Sequence, residues 1–141
     1  MKKWMLLFLM LLGNAAIAAD GGYLFATFKG EGDPMGEQVY FVLSRDGVKW
    51  TELNDGKPVL VSTVGEKGVR DPYLLRAHDD SAFYMIATDL SVHLINHDWG
   101  KASQRGSRNI VIGKSTDLVN WGEPKLVMVA PEDAGCAWAP E

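Results

Sequence analysis

Apolar positions beyond residue 20 come in short runs rather than at helical spacing. The runs 23–28, 39–43, 58–62, 71–76, 83–88, 109–113 and 125–129 are rich in aliphatic and aromatic residues, and Gly, Pro, Asp or Asn bounds each one. Such residues suit a pleated, half-buried backbone, and the bounding types favour turns, so the pattern predicts strands joined as a meander. No stretch in this region keeps a helical apolar period over three turns.

Two strand exits repeat. Ser44-Arg45-Asp46-Gly47-Val48-Lys49-Trp50 and Ser115-Thr116-Asp117-Leu118-Val119-Asn120-Trp121 stand 71 residues apart, and a proline and a further apolar run follow each. Ser and Asp side chains bond turn amides, and Trp lays apolar surface over the turn. The repeat is therefore structural, and neither Asp46 nor Asp117 is a catalytic candidate. Between equivalent points of the repeat lie four runs: 71–76, 83–88, 109–113 and 125–129. Four-stranded units of this length predict an all-β propeller. On this reading 23–62 is a partial blade of three strands, 71–129 a complete blade, and 137–141 the start of the next. A ring of at least four blades does not close within 141 residues, so the chain reads as the N-terminal portion of a longer domain.

The first residues change the picture of where the protein resides. Lys2 and Lys3 precede an apolar run over 5–12, and small residues follow over 13–19, including Ala16-Ile17-Ala18. This order reads as a signal peptide over 1–18, cleaved after Ala18 or Ala19, with an apolar run too short to span a bilayer. The expectation is an exported protein, periplasmic or extracellular, with no membrane attachment after cleavage. A net charge of -4, a pI near 5.3 and scattered lysines and arginines argue against a nucleic-acid partner. Cys136 is the single cysteine, so no intramolecular disulfide forms and stability must come from packing. It reads as a small buried hydrophobe rather than a nucleophile.

In a propeller the first strand of each blade lines the central channel. Two such starts are visible, Gly68-Val69-Arg70-Asp71-Pro72-Tyr73-Leu74-Leu75-Arg76 and Ala137-Trp138-Ala139-Pro140-Glu141, and each sets a carboxylate beside a proline. Taken in order with Glu37-Gln38-Val39-Tyr40-Phe41-Val42-Leu43-Ser44-Arg45-Asp46-Gly47 and with the second repeat, they make the chain resemble glycoside hydrolase family 43. These are five-bladed β-propellers that include arabinofuranosidases and xylosidases acting on plant polysaccharides.

The resemblance implies an inverting glycosidase with an Asp general base, an Asp that tunes the acid, and a Glu general acid. Asp71, in its Arg-Asp-Pro setting, matches the base that deprotonates the attacking water; its plainer reading is a turn cap before a strand. Glu141 falls where many members have the tuning Asp, so the position matches while the residue type departs. Arg70 and Trp138 flank these carboxylates, as a guanidinium for sugar hydroxyls and an aromatic face for stacking, or as packing between blades. No residue of the chain is assigned as the general acid. Some relatives hold calcium at the channel, and the sequence offers no ligand set for it. The implied partner is a pentose-containing polysaccharide or oligosaccharide. Two rivals stand beside this reading. One is a sialidase-like propeller hydrolase, because the turn at Ser44 is similar to an Asp-box, although Trp50 stands one residue too near Asp46. The other is a sugar-binding propeller without catalysis.

Other signals carry less. His93 and His97 are four apart, but no Glu stands between them at the metalloprotease position, and 91–100 reads as a loop. His78 sits with Asp79 and Asp80 in a hairpin turn, Asp89 reads as a turn residue, and Gly30, Gly32 and Gly36 surround Asp33-Pro34 in another turn.

Overall fold

Strands with apolar side chains need a second layer to cover them, and the meander supplies it as two antiparallel sheets. The computed structural model describes residues 21–139. Strands β1 (Tyr23–Thr27), β2 (Tyr40–Ser44) and β3 (Thr51–Glu52) form a three-stranded sheet in that order. Strands β4 (Arg70–Arg76), β5 (Phe83–Thr88), β6 (Asn109–Ser115) and β7 (Lys125–Met128) form a four-stranded one. All pairings between these strands are antiparallel. The expected all-β character is present, and the runs 71–76, 83–88, 109–113 and 125–129 share one sheet. The proposed signal peptide over 1–18 and the residues Pro140 and Glu141 lie outside the described residues.

Residues directly opposite each other in a ladder share a face. Ala26 faces Phe41 across β1 and β2, and Leu74, Met85 and Gly113 line up across β4, β5 and β6. Ala26, Phe41, Met85 and Ala87 join Val39, Leu60 and Val69 in one buried core, with Leu24, Leu74 and Trp121 packed against it. A Cβ at Gly113 would come within 3.0 Å of Leu60 Cδ1 and 3.2 Å of the Trp121 ring, so the missing side chain is what lets those two residues settle on the sheet.

The opposite faces are apolar as well. Tyr73, Ile86 and Ile112 line up across three strands of the second sheet, and Tyr23 and Phe25 lie on the far side of β1, where Phe25 meets Trp50 at 6.0 Å. Tyr23, Phe25, Trp50, Tyr73 and Leu75 are all exposed among the described residues. A two-layer sandwich keeps its outer faces polar, whereas sheets stacked in series are apolar on both sides. The pattern fits the serial stacking of a propeller.

The repeated turns are built alike. Ser44 Oγ donates to Asp46 Oδ1, which also accepts from the N–H groups of Val48 and Lys49 at 2.9 and 2.8 Å. Asp117 does the same for Val119 and Asn120 at 2.9 and 2.7 Å. These bonds hold both carboxyl groups below their ordinary range, the N–H of the third residue on contributing most in each case.

Two expectations need correction. The run 58–62 is not a strand: it makes a single bridge, with Val59 N–H donating to Val39 O and Val39 N–H to Leu60 O, and β3 takes the third place in the sheet. The ladder stops because Ser62 N–H donates to the side-chain oxygen of Gln38 at 2.9 Å instead of to a backbone carbonyl. The segment 91–100 is not plain loop: it holds a 3-10 turn, His93–Ile95, and the start of helix α1 (Trp99–Arg105). The helix is capped by Asp98, which accepts from Lys101 N–H at 2.8 Å. It buries only Ala102, so it has no apolar stripe to show.

Met85 has 1% of its surface exposed at the centre of the core, so truncating it to Ala is expected to cost about 3 kcal/mol. Val48→Ala, at a position 79% exposed, should change stability by less than about 0.5 kcal/mol, with urea unfolding as the measurement.

Candidate functional site

The site begins with an irregularity in β4. Arg70 pairs with Thr88 and Tyr73 with Ile86, so Asp71 and Pro72 together face Ala87 in a β-bulge. Regular alternation would send the side chains of Arg70 and Asp71 to opposite faces of the sheet; the extra residue turns Asp71 to the Thr88 side. Its backbone sits at φ 50°, a left-handed conformation for a non-glycine residue standing directly before a proline. Local strain of this kind persists where surrounding contacts over-determine it.

Those contacts come from Thr88, whose surface is 0% exposed. Its hydroxyl donates to Asp71 Oδ2 at 3.3 Å and accepts from Ala139 N–H at 2.8 Å. One buried hydroxyl thus joins the two segments singled out in the sequence. Trp138, next to Ala139, is half exposed. Glu141 lies outside the described residues.

Arg70 is held on every side. Its Nη1 donates to Glu37 Oε1 at 2.7 Å and to Glu31 Oε2 at 3.3 Å. Its Cζ lies 4.7 Å from the centre of the Phe28 ring and 4.9 Å from that of Trp99. Glu37, 1% exposed, is the group around which this cluster is built. Besides Arg70, its carboxylate accepts from Ser91 Oγ at 2.7 Å, Val92 N–H at 2.8 Å and His93 N–H at 2.9 Å. Burial pushes its pKa up, but the His93 and Val92 amides, the Ser91 hydroxyl and Arg70 outweigh it and hold the carboxyl below 4.5.

Asp89 proves to be more than a turn residue. It follows β5 directly, is 1% exposed, and its Oδ1 accepts from Glu66 N–H at 2.8 Å, which anchors the loop leading into β4. Its Oδ2 has no hydrogen-bond partner among the described residues. Burial raises its pKa, and the nearby Ser107 hydroxyl and the Glu66 amide draw it only partly back. Cys136 is buried as expected, and burial, reinforced by Asp89 and Glu66, raises the thiol pKa, which disfavours the reactive thiolate.

His93 and His97 meet edge to face at 5.9 Å, and His93 Nδ1 lies 3.1 Å from Glu31 O. Among the described residues no three His, Cys, Asp or Glu side chains converge to hold a metal ion. A cleft of about 360 Å³ between 59–63 and 119–124 lies beside the second repeated turn and contains none of the candidate residues.

Sequence reasoning brought Asp71, Arg70 and Trp138 forward and passed over Glu37, Thr88, Trp99 and the burial of Asp89. The run Thr88-Asp89-Leu90-Ser91, polar residues closing a strand, was the one local signal; nothing local marked Glu37 as buried.

A family model described as "Probable glycosyl hydrolase domain" matches residues 19–141. An alpha-L-arabinofuranosidase of Bifidobacterium longum subsp. longum is 35% identical over 134 residues, which cover 89% of this chain. The chain spans 12% of that relative's length. Both agree with the resemblance to glycoside hydrolase family 43.

Replacing Glu37 by Gln leaves Arg70 buried beside a neutral amide and sets that amide's N–H₂ against amide donors. The expected loss is about 3 kcal/mol. Because the folded carboxyl titrates below its ordinary value, its stabilisation is complete above about pH 5 and is lost as the pH falls through the folded-state pKa. The gap between the urea midpoints of the native protein and Glu37→Gln should therefore narrow from about pH 7 to about pH 3.

Proposed function

The chain belongs to the glycosyl hydrolase domain family related to family 43, and from that membership we propose that it bears the general base of an inverting glycosidase releasing arabinofuranosyl or xylosyl units from plant polysaccharides or oligosaccharides. The observation that carries the assignment is Asp71 itself. It is the acid that a strained bulge turns out of regular alternation and that a buried hydroxyl orients.

Thr88 holds Oδ2, and a water gives its proton to Oδ1 as it attacks the anomeric carbon from the face opposite the leaving group. Inversion needs that water between base and sugar, with the two catalytic carboxyl groups roughly 6.5–9.5 Å apart. Glu141 is proposed as the carboxylate that tunes the acid. Trp138, half exposed and one residue from the Thr88 contact, offers its face to the sugar ring. Arg70 contributes by clamping the chain beside Asp71, since its charge is already met by Glu37 and Glu31. That pairing also weighs against the sialidase-like reading, in which guanidinium groups must be open to a sugar carboxylate. The same proposal places the protein outside the cytoplasm, on the strength of the charged, apolar and small segments over 1–19.

Asp71→Asn keeps the bond to Thr88 and removes the base. In the full-length protein it should lower kcat on pentosides by at least ~10² with KM little changed. Turnover within a few fold of the native protein, or cleavage of sialosides in place of pentosides, would overturn the assignment.

A further inference from the structure

Three groups gather at the outer end of the Arg70 cluster with no part in the proposed chemistry. Trp99 opens α1, and although Arg70 lies over one of its faces the residue remains 42% exposed. Glu31 reaches Arg70 from the turn after β1, and its side chain is still partly exposed. Its own backbone N–H, with Arg70 adding to the effect against a raising contribution from burial, keeps the carboxyl below its ordinary value. His93 stands beside it: a carbonyl oxygen only accepts, so the contact with Glu31 O places the proton on Nδ1 and leaves Nε2 of the neutral ring as an acceptor.

These groups are joined to Asp71 through its chain neighbour: Arg70 directly precedes Asp71 in β4, and its guanidinium touches Trp99 and Glu31. The chain goes out of its way to build this corner, since the β5–β6 connection runs over 89–108 where β4 and β5 are joined by 77–82 alone. The corner holds one guanidinium against two carboxylates, so it repels anions and favours hydroxyl donors. An aromatic face beside a carboxylate and an imidazole acceptor suits a neutral sugar ring, with its C–H face on the indole and its hydroxyls toward the acceptors.

We propose that Trp99, Glu31 and His93 form a subsite for a second, uncharged sugar unit of the substrate, next to the unit that Asp71's water attacks; this rests on the hydrolase reading. The substrate is then a neutral oligosaccharide or polysaccharide rather than a simple glycoside, and acidic sugars are excluded from this position.

The test compares a linear arabino-oligosaccharide with arabinofuranosyl fluoride, whose leaving group is too small to reach a second subsite. Trp99→Ala should lower kcat/KM for the oligosaccharide at least ~10-fold more than for the fluoride, mostly through KM, and Trp99→Phe should restore most of the loss. Equal losses on both substrates would show that Trp99 only covers Arg70 and would overturn the subsite, as would no loss on either. Calorimetric binding of the same oligosaccharide to Asp71→Asn separates the two readings. Trp99-dependent binding to Asp71→Asn, when the native protein cleaves neither substrate, keeps the subsite and removes the hydrolase reading. Cleavage without Trp99-dependent binding does the reverse, and neither binding nor cleavage overturns both.

Discussion

The described structure depends on the buried carboxylate of Glu37. Its two oxygens take donors from Arg70 and from Ser91, Val92 and His93, and its backbone carbonyl accepts from Val69 N–H at 2.7 Å. One residue thus ties the lead into β2, the entry to β4 and the connection after β5. Next to it, Gln38 donates to Lys67 O at 2.9 Å and accepts from Ser62 N–H, so the pair fastens both ends of 62–70. A charge so far from water is tolerable only while every partner is in place. The loop that delivers Asp71 is consequently held as a unit, and Asp89 pins it again at Glu66.

That rigidity explains how an unfavourable backbone survives at Asp71. A left-handed residue before a proline is costly in an unconstrained chain, yet here Arg70 is clamped on one side of it, and β4 runs on in regular register from Tyr73 on the other. The bulge and the clamp work together: the bulge aims the carboxylate, and the clamp keeps the bulge from relaxing. Thr88 adds the orientation, because its single hydroxyl proton goes to Asp71 while its lone pair takes the Ala139 amide.

The two sheets carry apolar side chains on both faces, which is a property of the strands themselves. Tyr73 and Leu75 alternate with Leu74, and Phe25 with Leu24 and Ala26, so neither face is left to solvent-loving residues. A family whose members stack sheets around an axis accounts for this composition better than a free-standing sandwich does.

The apolar runs and turn residues were enough to determine an all-β meander, its antiparallel pairing and the structural nature of Asp46 and Asp117, because these follow from interactions within a few residues of chain. The run 58–62 was misread for the complementary reason: a side chain 24 residues away takes the N–H that would have continued the ladder. Asp71 stood out by its motif, but its strained backbone and its bond to Thr88 came only with the register of β4 on β5. Glu37 and Asp89 look like ordinary surface acids in the sequence. Their burial, and with it the cluster that carries Trp99, was decided by the tertiary fold, since whether a carboxylate can leave water depends on donors brought from as far as 56 residues along the chain.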